Sequence, residues 1–373
     1  MSRLLLITRN FPPLWGGMER LNCHLADELA KGFALSVVAP VGASRYAPAG
    51  TKVREVALAP LWRFLSGASL AAGREACRLR PQWILAGSGL TAPLALGAAR
   101  SCGARAAVYV HGLDVSVPHS IYRTLWLPAL RRADRIIANS TATAQLAESV
   151  GVPPERITIV HPGVSVPTFD PDARARFRQR WGLPPDAPVL LSVGRLTARK
   201  GVREFVREVL PRIVQVRPDA LLLIVGDVPK QALYAEAQTP QSILAVAEAI
   251  GLANHVRWLG SLFGEALTDA YFGADVHVFP VRNLPNDPEG FGMVAVEAAA
   301  HGLPTVAYAT GGVTDAVADG ISGHLVAPGD QEGFVAAVLR LLAQPADPTR
   351  CREFAQRFAW TRFGEQIRSV LQS

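Results

Sequence analysis

Short apolar runs, each closed by glycine, proline or asparagine and each followed by a stretch of helical spacing, recur along the whole chain. In the first half, Arg3–Thr8, Ala34–Ala39, Trp83–Ala86, Ala106–Val110, Arg135–Ala138 and Ile157–Val160 read as buried strands. After the first of them, Phe11–Gly17 reads as a glycine-rich loop. It leads into a helix from Met18 whose Leu21, Leu25 and Leu29 share one face before Gly32 stops it. Strand, loop, helix and strand make a βαβ unit, and its repetition predicts an α/β fold with a parallel, doubly wound sheet. The composition changes at FDPDARARFRQRWGLPPDAP, read as a linker and the first helix of a second domain. Asp170 and Asp172 within it read as helix capping rather than as a metal-binding pair. A second series of strands follows at Val189–Val193, Leu221–Val225, His255–Leu259, Asp275–Phe279 and Pro304–Ala307. The pattern therefore predicts two similar domains, 1–166 and 167–353.

Composition changes this picture in two places. The 373 residues, 49% hydrophobic and 18% charged, suit two ordinary globular cores. The opening MSRLLLITRN is too short an apolar run for a signal peptide, and no run approaches the ~18 residues of a membrane span, so a cytoplasmic location is expected. Four scattered cysteines without paired spacing argue against a zinc site or a disulfide framework. The charge is uneven: residues 1–165 carry 18 Lys and Arg against 9 Asp and Glu, and the remainder 20 against 22. A basic half fits nucleic acid, an anionic membrane face, an anionic substrate or simple solubility. Nucleic acid fits least, because no compact aromatic and basic motif is present. The segment His119–Arg132, with Tyr122, Leu125, Trp126 and Leu127 beside Arg123, Arg131 and Arg132, reads equally as a membrane-surface helix or an internal packing helix.

Chemistry concentrates at the carboxyl ends of the predicted strands, where open α/β sheets bind ligands. The stretch NDPEGFGMVAVEAAAHGLPTVAY, Asn286–Tyr308, predicts a polar loop and a helix from Phe291 to His301. Glu289 stands in the loop, and Glu297 about two turns inside the helix, roughly 12 Å further along. Gly290 and Gly292 permit close approach of backbone amides, and a helix N-terminus favours phosphate. Glu297 sits among Val and Ala on a helix apolar nearly all round, where an unpaired carboxylate is costly. Arg195 and Lys200 in VGRLTARKG offer two cations for a diphosphate, and Gly311-Gly312 a further amide cradle. In the first half, Gly16-Gly17, His111 and Asn139-Ser140 close strands in the same way. The dinucleotide spacing Gly-x-Gly-x-x-Gly is absent, which argues against an NAD enzyme.

Taken in order, GGMER, HG, ANS, VHPGV, VGRLTARKG, EGFGMVAVE, TGGVTD and GHLVAPGD resemble glycosyltransferase family 4, the retaining sugar-nucleotide enzymes of GT-B fold. The resemblance implies two Rossmann-like domains facing an interdomain cleft, with the last helix, 354–373, packing back on the first domain. It implies that Glu289 contacts the donor sugar, Glu297 the ribose hydroxyls, and Arg195 with Lys200 the diphosphate. The backbone of Gly290, Phe291, Gly292 and Met293 and of the Gly311-Gly312 turn would lie alongside, Gly16 and Gly17 would approach the phosphate, and His111 would lie near the sugar. The substrate would be a nucleotide-diphosphate sugar, with no metal and no cofactor. The acceptor would be a glycan or a lipid-linked molecule, as in lipopolysaccharide or polysaccharide biosynthesis, with peripheral contact to an anionic membrane. Asp315 stands where the family usually has Glu, which leaves its role open. A sugar-nucleotide epimerase or phosphorylase of the same fold is the alternative, or a non-catalytic nucleotide-sugar-binding protein. Base, sugar and acceptor are not legible.

Overall fold

Strands buried on both faces need apolar residues at every position, and that is what the runs supply. In the computed structural model, which describes residues 2–14, 16–117, 119–228 and 238–372, they form two separate parallel sheets. Trp15 of the glycine-rich loop and Ser373 lie outside the described residues.

The first sheet holds β1 (Ser2–Ile7), β2 (Phe33–Pro40), β3 (Lys52–Val56), β4 (Trp83–Ala86), β5 (Arg105–Val110), β6 (Arg135–Ala138) and β7 (Ile157–Ile159). Their spatial order is β3-β2-β1-β4-β5-β6-β7. The second holds β8 (Val189–Val193), β9 (Leu221–Val225), β10 (Val256–Gly260), β11 (Val276–Phe279), β12 (Thr305–Tyr308) and β13 (Gly323–Val326), in the order β10-β9-β8-β11-β12-β13. Each order reverses direction once, between β1 and β4 and between β8 and β11. Those are the switch points at which such sheets open a crevice.

Alternation assigns the two faces. Leu5 and Ile7 of β1 enter one core with Phe64, Ala95 and Leu130, while Leu4 and Leu6 enter another with Leu21, Leu25 and Leu29. In the second unit Leu190, Leu222 and Val276 face one core, and Leu191, Leu223 and Ala298 another.

The chain divides at Gly163 and again at Ala359, so that Trp360 onward belongs with the first unit. The expected terminal segment 354–373 is therefore split. Phe354 and Ala355, in the helix Pro348–Gln356, join a core of the second unit with Phe291 and Phe358. The helix Trp360–Gln372 buries Phe363, Ile367 and Leu371 with Leu21 and Leu25 of the first unit. The Trp360 ring stacks on His24 at 3.9 Å, and burial holds that imidazole down at about 4, hence neutral. Gly163 makes room for the indole, since a Cβ there would lie 2.2 Å from it.

The segment FDPDARARFRQR forms the helix Ala173–Arg180, but not by the expected capping. Asp172 makes no side-chain cap; Asp170 instead accepts from the Asp172 amide at 2.9 Å and pairs with Arg176. The same helix is locked to the sheet by Asp275. One oxygen of Asp275 accepts from the Val189 amide at 2.8 Å and from Arg178 at 3.0 Å, and the other from Arg174 at 2.8 Å. Arg178 is buried, so removing its counter-charge leaves an uncompensated cation. Asp275→Ala is expected to cost about 3 kcal/mol in chemical denaturation, far more than a surface ion pair; Asp219→Ala, whose partner Arg217 is on the surface, serves as the control and should fall within roughly 0.5 kcal/mol of wild type.

Candidate functional site

The loops after β8 and β11 meet at the switch point of the second sheet, and glycine is what lets them meet. A Cβ on Gly201, whose φ is +70°, would lie 2.1 Å from the Pro280 carbonyl. The Arg282 amide donates to the Arg199 carbonyl at 2.7 Å, tying one loop to the other. The short 3-10 turn Ala198–Lys200 thereby delivers two consecutive cations to the loop that carries Glu289.

Glu289 is 9% exposed. Its Oε2 lies 2.8 Å from Lys200 Nζ and 3.2 Å from Arg199 Nε, the second contact close enough for an ion pair but not aligned as a hydrogen bond. Arg199 also donates through Nη1 to Asp287 Oδ1 at 2.6 Å and to the Pro288 carbonyl at 3.0 Å. Lys200 Nζ sits 4.6 Å from the centre of the Phe279 ring, a cation–π contact. Burial alone would raise the Glu289 pKa, but Lys200, then Arg199 and Arg195, outweigh it and hold the carboxyl down at about 2. Burial draws the Lys200 pKa down against the pull of Glu289. Arg195 is exposed at the start of the same loop and acts through its charge.

The Gly311-Gly312 turn after β12 backs the Glu289 loop. A Cβ on Gly311 would lie 2.6 Å from the Glu289 carbonyl, and one on Gly312 would lie 2.1 Å from the Gly290 carbonyl. The Gly312 amide donates to the Glu289 carbonyl at 2.8 Å. This amide is thus committed to holding the Glu289 loop, and the helix that follows, Val313–Ala316 with Asp315 in its first turn, is a single turn.

The expected helix Phe291–His301 is shorter, Met293–Ala300. Gly292 has φ +96°, which ends helical geometry there, and Phe291 turns its ring into the core against Phe358 at 5.6 Å. Phe291 therefore offers a ligand its backbone, not its side chain. Gly290 remains in the loop, while Gly292 and Met293 head the helix, where leading amides have no intrahelical acceptor. The shorter helix puts Glu297 one turn inside rather than two. Glu297 is 8% exposed, and its Oε2 accepts from the Tyr271 hydroxyl at 3.1 Å. Tyr271 in turn stacks on His301, whose Nδ1 lies 2.7 Å from the Glu297 carbonyl. Arg199 and Tyr271 were not singled out in the sequence; the first lies beside Lys200 in the motif, and the second carries no local signal.

In the first unit, His111 follows β5 and is buried. Its Nε2 lies 3.0 Å from the Gly87 carbonyl, which can only accept, so Nε2 carries the proton. The His111 amide donates to Asp114 at 3.2 Å. Asn22 Nδ2 donates to the same Gly87 carbonyl at 3.3 Å, joining the helix Gly17–Ala30 to the end of β4. Gly16, in extended backbone, caps that helix, and Gly17 opens it. Glu19 in its first turn accepts from Asn10 at 2.7 Å. Ser140 caps the helix Thr141–Ser149 by accepting from the Thr143 amide.

Two doubly wound parallel sheets in succession are the architecture of the GT-B glycosyltransferases. Residues 15–166 match Glycosyltransferase Family 4, and residues 173–358 match Glycosyl transferases group 1. The chain is 33% identical over 367 residues to a GDP-mannose-dependent alpha-(1-6)-phosphatidylinositol monomannoside mannosyltransferase of Mycolicibacterium smegmatis, covering 92% of this chain and 90% of that protein. It is 38% identical over 237 residues to D-inositol 3-phosphate glycosyltransferase 2 of Catenulispora acidiphila. That match covers 61% of this chain and about half, 53%, of the relative. In fold it is similar to Anabaena HepE in complex with UDP (TM-score 0.82, 19% identity, all of both chains). It is also similar to WaaG, a glycosyltransferase involved in lipopolysaccharide biosynthesis (TM-score 0.71, 17% identity, 99% and 100% of the two chains). The chain belongs to glycosyltransferase family 4.

Because the folded pKa of Glu289 lies below its ordinary 4.5, its contribution is complete above that pH and is lost as pH falls towards about 2. Glu289→Gln is expected to be about 3 kcal/mol less stable than wild type at pH 7. In paired denaturation curves the gap should close between pH 4.5 and 2; a gap indifferent to pH would mean the carboxylate is not held by its cations.

Proposed function

We propose that this glycosyltransferase is retaining and metal-independent, moving a sugar from a nucleotide-diphosphate sugar to a glycan or lipid-linked acceptor in envelope or exopolysaccharide biosynthesis. The observation that carries the reading is Glu289 with Lys200 and Arg195 at the switch point beside the start of the helix Met293–Ala300. Cations and helix amides suit the two phosphates, Glu289 suits sugar hydroxyls, and Glu297 suits the ribose. The mannosyltransferase relative, named for GDP-mannose, and HepE, seen with UDP-glucose, support a sugar-nucleotide donor. In the proposed step the bond from the anomeric carbon to the diphosphate oxygen breaks and the bond to the acceptor oxygen forms on the same face. The acceptor's proton passes to the departing phosphate. Lys200 and Arg195 stabilise the charge that develops there, which is the work a divalent ion does elsewhere. His111 is assigned to the sugar, not to base duty.

Screening UDP-, GDP- and ADP-sugars for thermal stabilisation identifies the donor, since a ligand at 100 times its Kd adds about 2.7 kcal/mol. With that donor, Glu289→Ala should abolish transfer and leave nucleoside diphosphate binding intact or tighter, because Lys200 is released. Glu297→Ala should weaken nucleoside diphosphate binding about tenfold. Proton NMR of the product should show the donor's anomeric configuration, formed in EDTA. Equal affinity losses in the two variants, an inverted product, or activity restored only by manganese would defeat the assignment.

A cytoplasmic enzyme lying peripherally on an anionic membrane is the second part of the proposal. Among the described residues no helix is long and apolar enough to cross a membrane. The segment His119–Arg132 forms two short helices, Ser120–Leu125 and Leu127–Arg132. The second is largely internal: Leu127, Ala129 and Leu130 are buried, and Arg131 donates to the Val150 carbonyl. The more exposed amphipathic surface is the helix Leu61–Leu79, whose Phe64 and Ala68 share a core with Leu127 and Leu130. It presents Trp62 (70% exposed) and Leu70 among Arg63, Arg74 and Arg78; Leu125 (61%), on the helix Ser120–Leu125, is also exposed. Residues 57–133 hold nine arginines and two acids. Both acids are spent internally, Glu75 on Arg54 and Arg78 and Asp114 on the amides of Gly89 and His111. Co-sedimentation with anionic vesicles should fall with salt, with Trp62→Ala, and by about 1 kcal/mol for each of Arg63, Arg74 and Arg123 changed to Ala; indifference to all of these would leave the helix an ordinary solvated one.

A further inference from the structure

Lys200 faces a conflict. It is assigned to the diphosphate of the donor, yet its ammonium is already 2.8 Å from Glu289, a carboxylate assigned to the sugar. The two cations on Glu289 differ in how they are held. Lys200 reaches it on a flexible four-carbon stem. Arg199 is fixed: its guanidinium is tied to Asp287 and to the Pro288 carbonyl, its own carbonyl is tied to the Arg282 amide, and its side chain is 10% exposed. A diphosphate carries more negative charge than one carboxylate and so draws the movable cation.

We propose that Arg199 is a positioning residue that keeps the Glu289 carboxylate compensated and in place while Lys200 moves from it to the diphosphate. This rests on the assignment of Lys200 to the donor's phosphates. Lys200 is then a shared ammonium that guards the site when no donor is bound, and Arg199 makes its departure cheap. Among the described residues, the charged groups around Glu289 come from several elements. From the β8 loop come Lys200, Arg199 and the exposed Arg195, and from its own loop Asp287, which Arg199 neutralises. His277 on β11 lies beneath, close enough to feel the Lys200 charge; burial, then that charge, holds it down at about 3, so it stays neutral. The Gly311-Gly312 turn adds backbone only.

The consequence is a coupling visible in nucleotide binding alone, without an acceptor. In Arg199→Gln, binding of a nucleoside diphosphate would strip Glu289 of its remaining close cation. Titration calorimetry with UDP, GDP and ADP should give an affinity about tenfold weaker than wild type at pH 7.5. Adding Glu289→Gln in the same chain should restore it, because there is then no carboxylate to compensate. The deficit of the single variant should also shrink as pH falls towards 5, since Glu289 can take up a proton instead. Arg199→Lys, which keeps the charge, should bind within about threefold of wild type. An Arg199→Gln protein that binds like wild type would show that Lys200 serves both anions at once and overturn the inference. Failure of Glu289→Gln to rescue would do the same, by showing that Arg199 only maintains the loop. A wild-type protein that binds none of the three diphosphates would defeat the donor-site reading itself, an outcome seen before any variant is made.

Discussion

A carboxylate buried to 9% exposure needs close partners for its charge, and those of Glu289 dictate the arrangement of three loops. The cations come from the β8 loop, the acid from the β11 loop, and the backing from the β12 loop. For one oxygen to lie within 3.2 Å of both Lys200 and Arg199, the loops must approach more closely than side chains allow. That is why Gly201, Gly311 and Gly312 stand where they do: a Cβ on any of them would run into a neighbouring carbonyl. The glycines of the motifs are thus largely steric vacancies for backbone against backbone.

The same consideration separates what was legible in the sequence from what was not. Alternation of apolar runs and helical stretches revealed the parallel sheets because buried strands must be apolar throughout, and the eleven strands so read lie within a residue or two of those observed. The two that were missed, β3 and β13, are sheet edges. KVREV in β3 is paired on one side only and carries exposed charge, so no apolar run betrays it. At the site, Glu289, Glu297 and Lys200 were visible because carboxylates and an ammonium beside glycines are unusual company. Arg199 was not, because its role depends on Asp287 and Pro288, nearly ninety residues away. The helix start was misplaced because alanine and valine propensity says nothing about the positive φ at Gly292.

The two units share a topology yet treat the corresponding edge differently. At the β1/β4 switch point of the first, the focus is a carbonyl, Gly87 O, which takes donors from His111 and Asn22. At the β8/β11 switch point of the second, it is a carboxylate that takes cations. Neutral hydrogen bonds fix orientation with little field, whereas an ion cluster creates one. The excess positive charge of the first unit is instead spread over strands, loops and helices, among them Arg3, Arg54, Arg74 and Arg105, rather than gathered at one point.

Glu289 and Glu297 complete the contrast within a single loop and helix. Both are nearly buried: Glu289 is held by Lys200 and Arg199, and Glu297 accepts from the Tyr271 hydroxyl at 3.1 Å. A hydroxyl orients a carboxylate without supplying positive charge, so nothing about Tyr271 would draw a phosphate towards Glu297. Under the proposed donor assignment, the cations at the Glu289 end and the hydroxyl donor on Glu297 set the direction in which an elongated donor lies. Phosphates favour Lys200, Arg195 and the amides at the start of the helix Met293–Ala300. The uncharged ribose is proposed to lie beside Glu297, a turn further along the same helix.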